Sequence, residues 1–460
     1  MVRRFAVTPG LVSALLAAAL VACSSGGETR EGTGRDSQEI RPMERKIVGL
    51  GAPYEADRGL AGRTSELAAS QKARREAAWQ AVARVLRPVA IAEKLEKLDG
   101  GAAAQLPAFR TWYGKDDFTR AFDGALKAMS PEDKAARRPL RDDEVTAALT
   151  ANAASRGEAS DDDYAERLRL LIDAPAVDGL GANQRVTYSP GTVTHLMKNY
   201  AHTQGCLSAR TDDPAPSPTS FAPCLGEEFP VDAAVVKTSW NRADFNGKLR
   251  THDTSAETLA KRRSGELDDG GWGNGQGEAS PGTSDVYTIR LSDGASFRLT
   301  GMHLMTKELR EWLWITVWWS AEPNTDFGAD RPESITKLGG PWSHYKMCVV
   351  TSYEEHDMDP RGGFEGSLGD ALAAAHGGKG APTWCSNPYI EKGAHNAQTN
   401  CVGCHQHAGT EQRSETILAD ETKFPLSGRT KLRQSFLTDY LWSVGPSPEH
   451  LSHVIEQQLQ

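Results

Sequence analysis

The feature that most restricts how this chain can fold is a short motif near its carboxyl end, Cys401-Val-Gly-Cys404-His405. Two thiols at this spacing can add to the two vinyl groups of a porphyrin, and the histidine that follows can bind the iron. A chain that attaches haem in this way builds part of its core around a large flat ring. The motif therefore predicts one covalent haem c, held by Cys401 and Cys404, with His405 as the proximal iron ligand.

Three other interpretations of the cysteine pair compete with haem. Structural zinc needs two further ligands, and the chain has no second Cys-x-x-Cys pair. A redox-active dithiol is expected between a strand and a helix, whereas this pair follows the polar stretch EKGAHNAQTN. A plain disulfide between Cys401 and Cys404 is the third alternative. Because bacterial haem attachment requires export, the amino terminus bears on the choice.

The amino terminus resembles a bacterial lipoprotein signal. Arg3 and Arg4 form a short positive region, residues 11–22 are apolar, and small residues precede Cys23. We expect removal of residues 1–22 and acylation at Cys23, which would anchor the protein stably to a membrane. Ser24 in the second mature position predicts the outer rather than the inner membrane, facing the periplasm. An ordinary cleaved secretory signal is the alternative, and it predicts export too.

Charge excludes one class of partner. The 460 residues carry 52 basic and 61 acidic side chains, a formal charge of −9, with no basic stripe. Such an exported, acidic chain is a poor match for the phosphate backbone, so we expect no nucleic-acid partner.

Four cysteines remain once Cys23 and the motif pair are set aside. An even remainder in an oxidising compartment predicts two disulfides. Three pairings are possible, and the simplest joins neighbours in sequence. In that pairing Cys206 bonds to Cys224 and Cys348 bonds to Cys385.

The hydrophobic pattern predicts an α+β fold in which a helical amino-terminal region precedes a β-rich region. Residues 23–45 are polar and glycine-rich and are expected to form a flexible tether. Residues 46–175 have helical periodicity, and residues 176–460 form the β-rich, cytochrome c-like haem-binding region, with carboxyl-terminal helices. The apolar residues that share helical faces are Trp79, Val82 and Leu86, then Phe118, Phe122 and Leu126, then Tyr164, Leu168 and Leu171.

Local signals place several elements. Ser130-Pro131-Glu132 and Ser189-Pro190 predict helix starts, because serine caps free amides and proline fits the first turn. An Asp293-Gly294 turn predicts a hairpin, and the apolar run Trp312 to Trp319 predicts a central strand covered on both faces. The predicted strands are VDAAVVKTSW, SDVYTIRL, SFRLTGMHLM, WLWITVWWS and YKMCVVTSY, and the predicted final helices are LRQSFLTDYLWSV and HLSHVIEQQL.

Longer stretches extend the likeness beyond the motif. PAFRTWYGKDDF (107–118), GMHLMTK (301–307) with the tryptophans after it, and SFLTDYLWS (435–443) resemble a group of exported single-haem proteins of the cytochrome c family. The resemblance spans much of the mature chain. It implies electron transfer and haem at Cys401, Cys404 and His405, and it implies no substrate.

The sixth iron ligand is harder to predict. Small cytochromes c usually place a methionine downstream of the motif, whereas the last methionine here is Met358, upstream of it. Strand alternation in GMHLMTK puts His303 and Met305 on one face and Met302 on the other. We take His303 as the distal candidate. The remaining candidates are His395, His450, His453, Met347 and Met358.

The distal ligand decides the function. A six-coordinate iron predicts an electron carrier with redox partner proteins in the cell envelope, and an open sixth position predicts a haem enzyme or a redox or gas sensor. A wall-binding structural lipoprotein with an incidental motif is the third possibility.

Two other features have simpler explanations. The eleven tryptophans could stack on sugars, but those in the apolar strand predict burial in the core. Asp326, Asp330 and Arg331 in the DFGADRP loop are expected to cap and pair locally rather than to bind a substrate.

Overall fold

The fold is known from a computed structural model. The structure describes residues 51–90, 105–156, 184–206, 224–243, 247–267, 271–273, 275–290, 296–352, 360–377, 383–391, 396–409, 416–417, 436–445 and 450–460. All of them belong to one compact unit, Pro42–Gln460. The predicted signal, the tether and Cys23 lie outside the described residues. In the described part, no helix has the length and apolarity needed to cross a membrane.

The protein has an α+β fold, as predicted, with helices before and after a central sheet. The α-helices are α1 Thr64–Ala69, α2 Gln71–Leu86, α3 Lys115–Ala128, α4 Pro131–Ala135, α5 Asp142–Arg156, α6 Pro190–Lys198, α7 Tyr200–Gly205, α8 Ala256–Ser264, α9 Glu333–Thr336, α10 Gly366–His376, α11 Cys401–His405 and α12 Leu451–Leu459. Short 3-10 helices cover Leu60–Arg63, Ala108–Thr111, Asp326–Gly328, Gly340–His344 and Asn396–Gln398.

The central sheet is antiparallel, in the order β10-β9-β8-β4-β3, with β7 also paired to β8. Two further pairs, β1 with β2 and β5 with β6, stand apart from it. The strands are β1 Pro88–Ala90, β2 Gln105–Pro107, β3 Gln184–Tyr188, β4 Ala234–Arg242, β5 Leu249–Thr251, β6 Gly277–Ala279, β7 Thr288–Arg290, β8 Ser296–Thr306, β9 Leu313–Trp319 and β10 Tyr345–Val350.

The sequence signals for helices and strands are confirmed in several places. Ser130 and Ser189 each accept a hydrogen bond from an amide in the first turn of α4 and α6. β7 and β8 pair antiparallel, although the predicted turn between them lies outside the described residues. All seven residues of β9 are buried between β10 and β8, as predicted for a central strand.

Burial of the helical faces is confirmed for α2 and α3. The predicted residues Trp79, Val82, Leu86, Phe118, Phe122 and Leu126 are all buried. The third predicted face, with Tyr164, Leu168 and Leu171, lies outside the described residues. Helix α2 packs on the sheet edge, where Arg75 Nη1 donates to the Met347 carbonyl of β10 at 2.6 Å. The helical and β-rich regions are therefore in direct contact. The helical region also contains the small β1–β2 pair, which its periodicity did not predict.

The tryptophans are core residues, as predicted. Ten of the eleven are buried, and Trp442 is partly exposed. Asp330 in the DFGADRP loop accepts hydrogen bonds from Arg75 and Trp79, and Asp326 accepts from buried Lys346 at 2.9 Å. Both carboxylates are thus in structural pairs, but the pairs are not local to the loop as expected, because Arg75 and Trp79 lie on α2 and Lys346 lies on β10.

Both predicted disulfides are present. Cys206 bonds to Cys224 and Cys348 bonds to Cys385, with Cα atoms 5.1 and 5.5 Å apart. The second bond fastens the segment that precedes the haem motif to β10.

The prediction of a helix over LRQSFLTDYLWSV is wrong for its described part. Residues 436–445 form successive turns, and the backbone of Asp439 and Tyr440 has positive φ angles of 46° and 66°. The Asp439 side chain explains the difference, because it is fully buried and bonded to groups distant in sequence, which outweighs helical propensity. The final predicted helix exists as α12, which begins at Leu451.

Candidate haem site

The Cys-x-x-Cys-His motif forms a helix of its own. Asn400 caps α11, because its side-chain oxygen accepts from Gly403 N at 2.7 Å while its amide donates to the Thr383 carbonyl at 2.9 Å. Residues three and four apart share one face of a helix. The two cysteines and His405 therefore project from the same side of α11.

Neither motif cysteine forms a disulfide. Cys401 is buried and Cys404 is partly exposed. Burial, together with nearby Glu391 and Cys404, raises the pKa of the Cys401 thiol above its usual value. The structure thus has two reduced thiols on one turn rather than the predicted alternative of a Cys401–Cys404 disulfide.

His405 is fixed in one tautomer. Its Nδ1 lies 2.9 Å from the Tyr440 carbonyl oxygen. Because a carbonyl can only accept, Nδ1 carries the proton and Nε2 is left with its lone pair. Burial lowers the pKa of His405 to about 3, and the charges of His303 and Lys237 act in the same direction. A neutral imidazole whose other nitrogen donates to a carbonyl is the usual arrangement of a metal-bound histidine.

Aromatic rings surround this imidazole. The Trp314 ring centroid lies 4.7 Å from that of His405, and the Trp442 centroid lies 5.9 Å away. Tyr440 packs against Trp314 at 5.8 Å and against Phe436 at 4.6 Å. The rings limit water around His405 and form an apolar setting of the kind that a porphyrin requires.

The sheet register determines what faces the motif. Cross-strand partners share a face, so Lys237, His303, Thr316 and Cys348 form one row across β4, β8, β9 and β10. The segment 383–391 lies on this face, where Asn387 Nδ2 donates to Thr316 Oγ1 at 2.8 Å and to the Val317 carbonyl at 3.0 Å. Gly301 allows this approach, since a Cβ there would lie 2.8 Å from the Asn387 side chain.

His303 is in this row. Its Nε2 is buried, has no hydrogen-bond partner within the described structure, and lies 3.5 Å from Glu391 Oε1. Trp314, which pairs with Met305 on the same face of the sheet, has its ring centroid 4.7 Å from that of His405. The predicted proximal and distal histidines therefore lie over the same face of the sheet.

The other distal candidates differ in position. Met347 pairs with Val317 and so lies on the opposite face from His303, whereas Met305 pairs with Trp314 on the His303 face. The predicted alternation of His303 and Met305 against Met302 is confirmed by the same register.

The histidines of the carboxyl-terminal helix are less suited. His453 Nδ1 lies 3.6 Å from Glu456 on its own helix, and His450 is buried at the start of α12. His395 and Met358 lie outside the described residues.

The donor set fits covalent haem. Two thiols outside any disulfide, a neutral imidazole with its Nδ1 proton engaged, and a second imidazole whose buried Nε2 makes no hydrogen bond within the described residues are groups that suit a haem c. Over the described ranges, no three His, Cys, Asp or Glu side chains converge as a metal-ion site. A haem iron needs only one or two protein ligands.

Sequence reasoning missed three contributors. Asn400 could have been found as a helix cap, since asparagine is a preferred capping residue. Glu391 carries no local signal, because its contacts with His303 and Cys401 arise from tertiary packing. The Tyr440 carbonyl is a backbone group, so no side-chain pattern reveals it.

No family model, no curated protein and no solved structure matches this chain. The function is therefore argued from the site itself.

Proposed function

We propose that the protein is a lipid-anchored monohaem c-type cytochrome that passes single electrons between redox partner proteins in the cell envelope. The observation that supports it best is the geometry of α11. Cys401 and Cys404 are outside any disulfide and share a face with His405, whose Nδ1 proton is donated to a carbonyl. A haem, when bound, supplies an iron that stores one electron reversibly.

Each residue then has a definite role. Cys401 and Cys404 hold the porphyrin through thioether bonds, and His405 binds the iron through Nε2. The hydrogen bond from His405 Nδ1 to Tyr440 makes the imidazole a stronger donor, which stabilises the oxidised iron. Trp314 and Trp442 exclude water from the same ring.

We assign the sixth position to His303. It projects from the sheet face that carries the motif segment, and its buried Nε2 makes no hydrogen bond among the described residues, although Glu391 Oε1 lies 3.5 Å from it. Binding to iron would take the place of this contact and complete the nitrogen. Met305, two residues along the same face, is the alternative. A second imidazole lowers the reduction potential, whereas a thioether raises it.

The two disulfides support export. Such bonds form and persist outside the cytoplasm, where bacterial haem attachment takes place. Export and anchoring at Cys23 in the outer membrane, facing the periplasm, are part of the proposal.

The experiment is a potentiometric titration of the full chain, exported in a host with haem-attachment machinery. We expect a reversible one-electron transition and a reduced spectrum that carbon monoxide leaves unchanged. His303→Ala should open the iron to carbon monoxide, whereas Met302→Leu, on the opposite face of β8, serves as the matched control. If Met305→Leu opens the iron and His303→Ala does not, the sixth ligand is the methionine. Ready binding of carbon monoxide by the wild-type protein would contradict the carrier and favour an enzyme or a sensor.

A further inference from the structure

The turns at residues 436–445 are built around a buried carboxylate. The Asp439 side chain is fully buried. Its Oδ1 accepts from Lys307 Nζ at 2.8 Å and from Trp312 Nε1 at 3.1 Å, and its Oδ2 accepts from Phe229 N at 3.1 Å. Two separate parts of the chain, the β8–β9 hairpin and residue 229, thus converge on one side chain.

The lysine partner is equally enclosed. The Lys307 side chain is 4% exposed, and its Nζ also donates to the Arg310 carbonyl at 2.5 Å. The ammonium lies 5.4 Å from the Trp312 ring centroid. These contacts fix the hairpin between β8 and β9 against Asp439, and a charge pair buried to this degree interacts strongly.

The backbone of Asp439 and Tyr440 has a conformation that depends on the contacts around it. Asp439 and Tyr440 both have positive φ, which non-glycine residues adopt only where the surroundings enforce it. The disulfide-bonded residue Cys224 also holds this turn. Its backbone N donates to the Leu437 carbonyl at 3.3 Å, and its sulfur is bonded to Cys206. The result is a rigid turn whose Tyr440 carbonyl accepts the His405 Nδ1 proton.

We propose that the Lys307–Asp439 ion pair positions His405 by holding this turn, and thereby sets the reduction potential of the haem. The inference rests on the proposed function. Asp439 touches neither His405 nor a reacting atom, so it is a positioning residue. Loosening the turn lengthens the hydrogen bond from His405 Nδ1 to Tyr440, weakens the imidazole as a donor and destabilises the oxidised iron.

The test compares Asp439→Asn with Lys307→Met in the exported, haem-loaded full chain. If the ion pair positions His405, both changes should raise the reduction potential by ~59 mV. For a one-electron couple, this shift is a tenfold increase in the ratio of reduced to oxidised protein at a fixed potential. A purely electrostatic effect predicts opposite signs, because one change removes a negative charge and the other a positive one. The ferric electron paramagnetic resonance spectrum should change in both variants.

The matched control is Asp330→Asn. Asp330 is also a carboxylate in an ion pair, with the buried Arg75, and its side chain is 15% exposed. It lies in the loop after β9, and its partner Arg75 is on α2 rather than in the β8–β9 hairpin. This variant should lose stability and keep the wild-type potential. Lys307→Arg keeps the charge and should restore a near-normal potential, which tests the inference even if Asp439→Asn does not fold.

The outcomes separate the two proposals. A wild-type protein without covalent haem contradicts the proposed function. A haem-loaded wild type in which the two substitutions shift the potential in opposite directions, or no more than Asp330→Asn does, overturns the positioning role and leaves the cytochrome standing.

Discussion

One buried histidine, His376, and one partly buried histidine, His405, are electrostatically alike and structurally different. Burial lowers the pKa of both His376 and His405 to about 3. At the end of α10, His376 lies among Arg74, Arg75 and Arg263, whose charges reinforce the effect. His405 lies instead against Trp314, directly after Cys404 and one helical turn after Cys401. A shifted pKa alone therefore does not distinguish a structural histidine from a ligand.

The groups around His376 and His405 distinguish the two histidines. In the arginine cluster formed by Arg74, Arg75 and Arg263, each guanidinium has a protein acceptor: Gln71 for the first, Asp330 for the second and the Ala375 carbonyl for the third. In the motif segment, residues 396–409, neither cysteine is in a disulfide, and His405 Nδ1 donates to the Tyr440 carbonyl, which leaves the lone pair on Nε2. The arginines thus have protein acceptors, whereas the proposed function assigns the groups of the motif segment to a cofactor.

The largest effect should come from replacing both motif cysteines. Cys401→Ala/Cys404→Ala is expected to abolish covalent haem, because no thiol is left to add to the vinyl groups. Haem staining after denaturing electrophoresis measures this. Cys206→Ala/Cys224→Ala removes the same number of sulfurs and should keep the stain. Retention of stain in the first variant would mean that the motif is not the attachment site.

A substitution in the arginine cluster should lower the stability of the protein and leave its haem content unchanged. Asp330→Ala leaves Arg75 buried without its partner and should lower the free energy of unfolding by about 3–5 kcal/mol. Chemical denaturation measures the change, and the haem content of the folded fraction should stay at the wild-type level. The exposed substitution Lys127→Ala should change stability by no more than about 0.5 kcal/mol. A loss of haem in Asp330→Ala would show that the arginine cluster is also needed for haem binding.

The disulfide that joins the sheet to the segment 383–391 should contribute slightly less. Cys348→Ala/Cys385→Ala is expected to lower the free energy of unfolding by about 2–4 kcal/mol, since an open loop gains entropy when unfolded. Thermal unfolding of haem-loaded protein measures it. An unchanged midpoint would indicate that the contacts of Asn387 with β9 hold the segment without the bond.

The smallest effect is a pH dependence from His376. Its folded pKa lies below the unfolded value of about 6.5, so the unfolded state binds one more proton between pH 6.5 and about 3. Stability is therefore lost as the pH falls through that window. The free energy of unfolding of the wild type should decline more steeply than that of His376→Asn, by up to about 1.4 kcal/mol per pH unit. Parallel curves would show that His376 is not held neutral.

Much of the fold was predictable because local and tertiary preferences agree. The serine caps, the buried faces of α2 and α3 and the central strand β9 all follow periodicity and capping. The turns at 436–445 could not be predicted in this way. Their sequence favours a helix, and the Lys307–Asp439 pair that prevents it joins residues far apart in the chain.

The candidate site also has a part that could be predicted from the sequence and a part that could not. Cys401, Cys404 and His405 lie within five residues, so their spacing alone predicts a haem site. His303 could be proposed as a strand residue, but its approach to Glu391 and His405 depends on the register of β8 and on the segment 383–391 lying over it. The Tyr440 carbonyl required the fold to be known.

The most direct test of the account is the mass of the exported, denatured protein, followed by the mass of its peptide spanning residues 399–410. The account predicts a gain of one haem on the protein and on that peptide, with both cysteines unreactive to thiol reagents. A peptide of unmodified mass, with Cys401 and Cys404 as free thiols or joined in a disulfide, would contradict it.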